Sequence, residues 1–162
     1  VVLLKVHGIQ RLIDVRTVPR SRHNLRFNTE ALATSLANED ISYRRTACLG
    51  ALKKPRKDSI NRGWRNDSFR SYADCMQQAF ASVLEELMAD SQELRTAIMY
   101  AEAASLRCHR PLIADALATR DWQVRHILSE AKADRHQLTS FAILENGLFR
   151  YPDQNTHPQL FP

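Results

Sequence analysis

Short apolar runs that alternate with longer segments of helical spacing are the feature that most restricts how this chain can fold. The run "RLIDVR", Arg11–Arg16, is apolar and bounded by Gly8 and Pro19, as a buried strand would be. Pro19 cannot sit in a central strand, so "TVPRSRHNLRF" is expected as a loop. "TEALATSLANED" follows with Ala31, Leu32, Leu36 and Ala37 on one helical face, and Asn28 suited to cap it. "ISYRRTA" reads as a second, less apolar strand nearer an edge. A long basic loop, Cys48 to Asp67, carries Gly50, Pro55 and Gly63; loops of that length are uncommon and often functional.

The second half repeats the alternation. "SFRSYADCMQQAFASVLEELMADS" has helical spacing, in one piece or two. "RTAIMYAE" is a continuous apolar strand ending at Glu102, and "CHRPLIADALATR" a helix with Pro111 in its first turn. "WQVRHIL" is another strand, and "AILENGLFRYP" a hairpin turning at Asn146-Gly147. Strands alternating with helices imply an α/β fold whose mostly parallel sheet is covered on both faces. Ligands in such sheets bind beyond the carboxyl ends of the strands. The "TVPRSR" loop, the basic loop and the Glu102–Cys108 loop should therefore open on one rim.

A chain of 162 residues fits one domain, expected over 1–151, with a loose tail over 152–162. No apolar run approaches the length of a membrane span, and the opening "VVLLKVHGIQ" lacks the layout of a signal peptide. It reads as the end of an amphipathic helix that begins before residue 1. Cys48, Cys75 and Cys108 are an odd number without a C-x-x-C pair, which argues against a disulfide framework and points to the cytoplasm. The formal charge is +5, but residues 16–70 hold 13 Lys/Arg against 5 Asp/Glu. Such a block attracts phosphates on nucleic acid, a nucleotide or a small metabolite, or is simply a solvated basic surface.

The stretches "LIDVRTVPRSRHN", "YADCM", "IMYAEAASLRCHRPLIADAL" and "QVRHIL" resemble the bacterial family known as domain of unknown function 488. The likeness runs in order from about residue 1 to about residue 151. It implies a Rossmann-like three-layer α/β domain and carries no established activity. Members usually open with a strand reading like "TIGHS" and a helix leading into residue 1, so the first strand of the domain is expected to be missing. Tyr100 stands where the family has a cysteine and Cys75 where it has a tyrosine, an exchange that makes sense if the two positions touch. Ala51 replaces the second glycine of the family's "LGG".

Each candidate residue admits two roles. Cys108, flanked by Arg107, His109 and Arg110 at a helix start, has a setting that favours thiolate and nucleophilic work; it is equally suited to cap a helix as a small buried side chain. Glu102, inside the most specific motif, fits a general base or a nucleophile, or a salt bridge to Arg107 or Arg110. Asp14, Arg16, Arg20 and Arg22 fit anion recognition, or an internal network bracing their loop with Asp14 as organiser. Tyr72 and Asp74, read as beginning the helix after the basic loop, fit substrate contact or helix-dipole stabilisation. Trp64 and Phe69 fit base stacking or a core anchor, and His126 a satisfied core histidine.

No metal-ligand spacing is present, and the adjacent Cys108 and His109 diverge, so no metal site is expected. Without G-x-G-x-x-G or a P-loop no cofactor can be named. Rhodanese-type and phosphatase-type cysteine patterns fail on spacing, the first because Tyr100 holds the required position. The sequence thus points to an enzyme acting on a phosphate-bearing substrate, such as a nucleotide or nucleic-acid base. In that reading Glu102, Cys108 and His109 are catalytic, and Asp14, Arg16, Arg20, Arg22, Tyr72, Asp74 and Arg110 bind substrate. The alternative is a noncatalytic nucleic-acid-binding module. A protein-interaction domain has no sequence sign, and oligomeric state is not encoded legibly.

Overall fold

The computed structural model of the chain describes residues 1–16, 19, 24–46, 56–76, 80–100, 110–145 and 147–153, without the side chains of Cys75 and Phe80. Arg20, Arg22, Glu102, Cys108 and His109 lie outside the described residues, as do Asn146, the tail from residue 154 and the Cys75 half of the Cys–Tyr exchange. The chain divides into two compact units. The first comprises Val1–Gly50, Ser82–Ala103 and His126–Asp134, the second Ala51–Ala81, Ala104–Arg125 and Arg135–Pro162.

The first unit is built on three parallel strands: β1 (Arg11–Asp14), β2 (Ser42–Arg45) and β3 (Thr96–Met99), in the order β2-β1-β3. Helix α1 (Val2–Val6) leads into β1, and α2 (Thr29–Ala37) connects β1 to β2. This is an α/β sheet flanked by helices, consistent with a Rossmann-like domain, as the alternation of apolar runs implied. The central strand takes the most apolar run: Leu12, Ile13 and Val15 are all buried. The edge strand β2 takes the polar one, with only Tyr43 among its residues partly buried. Leu12, Leu32, Leu36 and Ile41 form a core against which Leu4, Tyr43, Ala97 and Met99 pack.

Asn28 does precede α2 in extended conformation, but it caps with its carbonyl, which accepts the Leu32 amide at 2.9 Å, and not with its side chain. Helix α4 (Phe80–Glu93), all but its first two residues in this unit, buries Leu84 and Leu87. Its Asp90 carboxylate accepts from Arg11 Nη1 at 2.9 Å and Arg44 Nη1 at 2.6 Å, tying the helix to β1 and β2. The strand expected at "WQVRHIL" is β4 (Arg125–Ser129), and it pairs with β5 (Lys132–Arg135) in a separate two-stranded sheet. The run "KADR" has no apolar alternation, so its strand leaves no periodic signal.

In the second unit α3 (Asp67–Met76) buries Phe69, Tyr72, Ala73 and Met76, the i, i+3, i+4, i+7 stripe of an amphipathic helix. It starts within one residue of the run that opens at Ser68, and ahead of Tyr72 and Asp74, which were read as beginning it. Asn66 Oδ1 accepts the Ser68 amide at 2.8 Å, so Asp67 occupies the first turn, while Tyr72 and Asp74 sit mid-helix. Helix α5 (Arg110–Ala118), with Pro111 in its first turn, is buried continuously from Leu112 to Leu117. Strands β6 (Ile143–Glu145) and β7 (Leu148–Arg150) form the expected antiparallel hairpin. Gly147 adopts φ 76° there, open to glycine at little cost.

Candidate functional site

The carboxyl ends of the three parallel strands are level. Asp14 stands opposite Arg45 on one side and Met99 on the other. Just past the strands, the Thr46 amide donates to the Asp14 carbonyl at 2.9 Å and the Val15 amide to the Met99 carbonyl at 3.1 Å. The chain therefore leaves β1, β2 and β3 side by side at one edge of the sheet.

A buried polar cluster occupies that edge. Asp14, without solvent exposure, accepts the Arg16 amide at 3.0 Å and Arg16 Nε at 2.8 Å on one oxygen, and Arg16 Nη2 at 2.6 Å and the Tyr43 hydroxyl at 2.7 Å on the other. Arg16 Nη2 also donates to the Phe27 carbonyl at 2.8 Å. Two positions apart in extended chain, Asp14 and Arg16 project to the same side, which permits the forked pairing. Tyr43 pairs with Leu12, one side-chain repeat before Asp14, and its long phenol crosses the diagonal. The sequence reading did not single out Tyr43; its place in the alternation of "ISYRR" was the available signal.

Burial pushes the Asp14 carboxyl upward, but the hydrogen bonds from Arg16 and Tyr43 outweigh it and hold it below the usual 3.8. The Arg16 guanidinium is held above its ordinary value by its hydrogen bond to Asp14. Burial, and then the bond to Asp14, raise the Tyr43 phenol above 10.0. Asp14 is thus an ionised acceptor throughout the neutral range. Nε and Nη2 of Arg16 are committed to Asp14 and Phe27, which makes Arg16 a brace between the end of β1 and Phe27.

Asp74, in the second unit, is also engaged by the protein itself. It is buried and accepts the Arg56 amide at 3.0 Å, the Ser59 hydroxyl at 2.7 Å and Asn61 Nδ2 at 2.9 Å, so it gathers the basic loop. Tyr72 is buried beside it on α3. Trp64 packs against Phe69, Phe141 and Tyr151, with ring centroids 4.8, 4.9 and 5.4 Å away, in the manner of a core anchor. Arg110 opens α5 and belongs to this unit, whereas Arg16 belongs to the first.

A constellation absent from the sequence reading also lies in the second unit. Asp115 has no exposure and accepts His136 Nε2 at 2.8 Å, the Thr139 amide at 3.0 Å and the Tyr151 hydroxyl at 3.0 Å. The sign of it was an aspartate inside the apolar run "PLIADAL", since a buried carboxylate requires partners.

Among the described residues no group of three His, Cys, Asp or Glu could hold a metal ion, and no helix is long and apolar enough to cross a membrane. The parallel sheet with its polar cluster at the carboxyl edge defines a Rossmann-like α/β domain. Residues 1–117 match the model of the family described as domain of unknown function DUF488, and the chain belongs to that family. No curated protein and no solved structure matched the chain.

Proposed function

We propose that this domain is an enzyme acting on a phosphate-bearing substrate, such as a nucleotide or nucleic-acid base, bound at the carboxyl edge of β2-β1-β3. The observation that supports this reading is the Asp14–Arg16–Tyr43 cluster at that edge. Its four donors hold a buried carboxylate and Arg16 in fixed positions at the end of β1, four residues before Arg20 in the sequence. In this reading Arg20 and Arg22 hold the anion as forked donors. Arg16 and Asp14 position their loop. Glu102, two residues after Tyr100 on the chain leaving β3, serves as base or nucleophile.

A thermal-shift screen of nucleotides and sugar phosphates tests it, run on the wild-type chain and on Glu102→Gln, Arg22→Ala and Cys108→Ser. A ligand at one hundred times its Kd should stabilise the fold by about 2.7 kcal/mol. Arg22→Ala should abolish that stabilisation, while Glu102→Gln should retain it and lose turnover. Unchanged turnover and affinity in Glu102→Gln removes the role given to that residue. If no phosphate compound stabilises the chain, the reading fails. Loss of turnover in Cys108→Ser would bring the "RCHR" segment into the chemistry.

A further inference from the structure

The second unit holds the latter part of its basic loop by several separate restraints. Three points along the loop, the Arg56 amide, the Ser59 hydroxyl and the Asn61 amide group, converge on the single buried carboxylate of Asp74. Asn61, itself without exposure, passes the restraint on by accepting the Tyr151 amide at 3.0 Å through Oδ1. The Gly63 amide donates to the Tyr151 carbonyl at 2.8 Å. Gly63 also lies so close to the Pro152 carbonyl that a Cβ would stand 2.5 Å from its oxygen. Trp64 then locks the far end into the aromatic cluster with Phe69, Phe141 and Tyr151.

What this frame presents to solvent is positive. Arg56, Lys57, Arg62 and Arg65 are all exposed. Arg56 is partly neutralised by Asp58, whose carboxylate it meets at 2.8 and 3.1 Å, and Arg62 leans on the Ser59 carbonyl through Nε. Lys57 and Arg65 make no ion pair among the described residues. A pre-ordered set of cations loses little entropy on meeting a partner, which is what a rigid loop contributes to binding. The half-buried Trp64 ring is engaged by Phe69, Phe141 and Tyr151, so what the segment offers a partner is its cations, which suit phosphates.

We propose that the segment Arg56–Arg65 is a contact surface for the phosphate backbone of nucleic acid, with Lys57, Arg62 and Arg65 as the neutralising groups and Asp74, Asn61 and Gly63 as positioning residues. The segment belongs to the second unit, and the sheet edge to the first. Binding is sequence-tolerant and salt-dependent. Three neutralised phosphates give a log–log salt slope of about −2.7 on duplex and about −2.1 on a single strand.

The test is fluorescence anisotropy of the full chain with labelled 20-mer duplex and single-strand DNA of two unrelated sequences, between 50 and 200 mM salt. Wild type should lose about 40-fold in duplex affinity over that range, about equally for both sequences. The variant carrying Lys57→Ala, Arg62→Ala and Arg65→Ala, all at exposed positions, should lose most of the affinity and most of the slope. Lys57→Glu alone should weaken binding in the same direction. Absence of binding by wild type, or equal binding by the triple variant, overturns the proposal. So does equal affinity for phosphatidylserine–phosphatidylcholine vesicles, or displacement by inorganic phosphate at matched ionic strength. Stabilisation by a small nucleotide without DNA binding would leave the sheet-edge reading standing and remove this one; the converse result would do the reverse.

Discussion

The hydroxyl of Tyr151 donates to the carboxylate of Asp115 across 3.0 Å, and neither residue has any solvent exposure. The bond joins the middle of an apolar helix to the chain just past the last hairpin. It makes Tyr151 part of the second unit's core. Asp115→Ala would strip His136, the Thr139 amide and Tyr151 of their shared acceptor at once. It should destabilise the protein by about 3–5 kcal/mol, and Tyr151→Phe by about 1–2 kcal/mol, in urea melts.

Burial, reinforced by the neighbouring Asp115, lifts the Tyr151 phenol far above its ordinary 10.0. The folded protein therefore keeps this proton where the unfolded chain gives it up. The stabilisation is complete below pH 10.0 and is lost as pH rises beyond it. Tyrosinate absorbance on alkaline titration should show late-ionising phenols, of which Tyr151→Phe removes the one that ionises only as the protein unfolds.

At the acid end Asp14 works in the opposite sense. Its carboxyl lies below the unfolded value of 3.8, so its contribution is present above that pH and declines as pH falls through the folded value. Tyr43→Phe removes one of its donors. The acid-unfolding midpoint should move to higher pH, with a loss of about 1 kcal/mol at pH 7, followed by circular dichroism.

Gly63→Ala would place a methyl group 2.5 Å from the Pro152 carbonyl oxygen, 2.8 Å from the Phe141 ring and 2.9 Å from the Tyr151 carbonyl oxygen. Two of these are backbone atoms that cannot swing aside. Destabilisation of about 2–3 kcal/mol is expected in chemical denaturation, whereas Gly147→Ala meets no atom within 4 Å and loses only through its φ of 76°.

Asp90 holds Arg11 and Arg44 together. Asp90→Ala leaves Arg11 with the Asp90 carbonyl and Glu93, and Arg44 with Glu86, so the loss should be about 1 kcal/mol. A thermal melt of a few degrees' difference checks it.

The elements themselves were legible because their signals are local. "RLIDVR", "RTAIMYAE" and the Leu32–Leu36 stripe each carry their own periodicity, and Pro19 and Gly147 mark their own breaks. The run from Ser68 marks α3 to within one residue, but Tyr72 and Asp74 lie well inside it and not at its start, because Asn66 caps the helix. The pairing of Arg16 with Asp14 was anticipated as one of two roles, since both lie on one strand end. Tyr43, Asn61, Asp115, His136 and Tyr151 were not, because they meet across separations for which no spacing rule exists.

By itself, the sequence determined an alternation of apolar strands and amphipathic helices, and hence a parallel sheet whose strand ends open on one edge. Only the tertiary structure decided which charged groups serve the fold. Asp14, Asp74 and Asp115 look alike in the primary order. Each became an internal acceptor because a carboxylate removed from water must be surrounded by donors; apart from Arg16, two residues from Asp14, those donors are supplied by segments that only folding brings near.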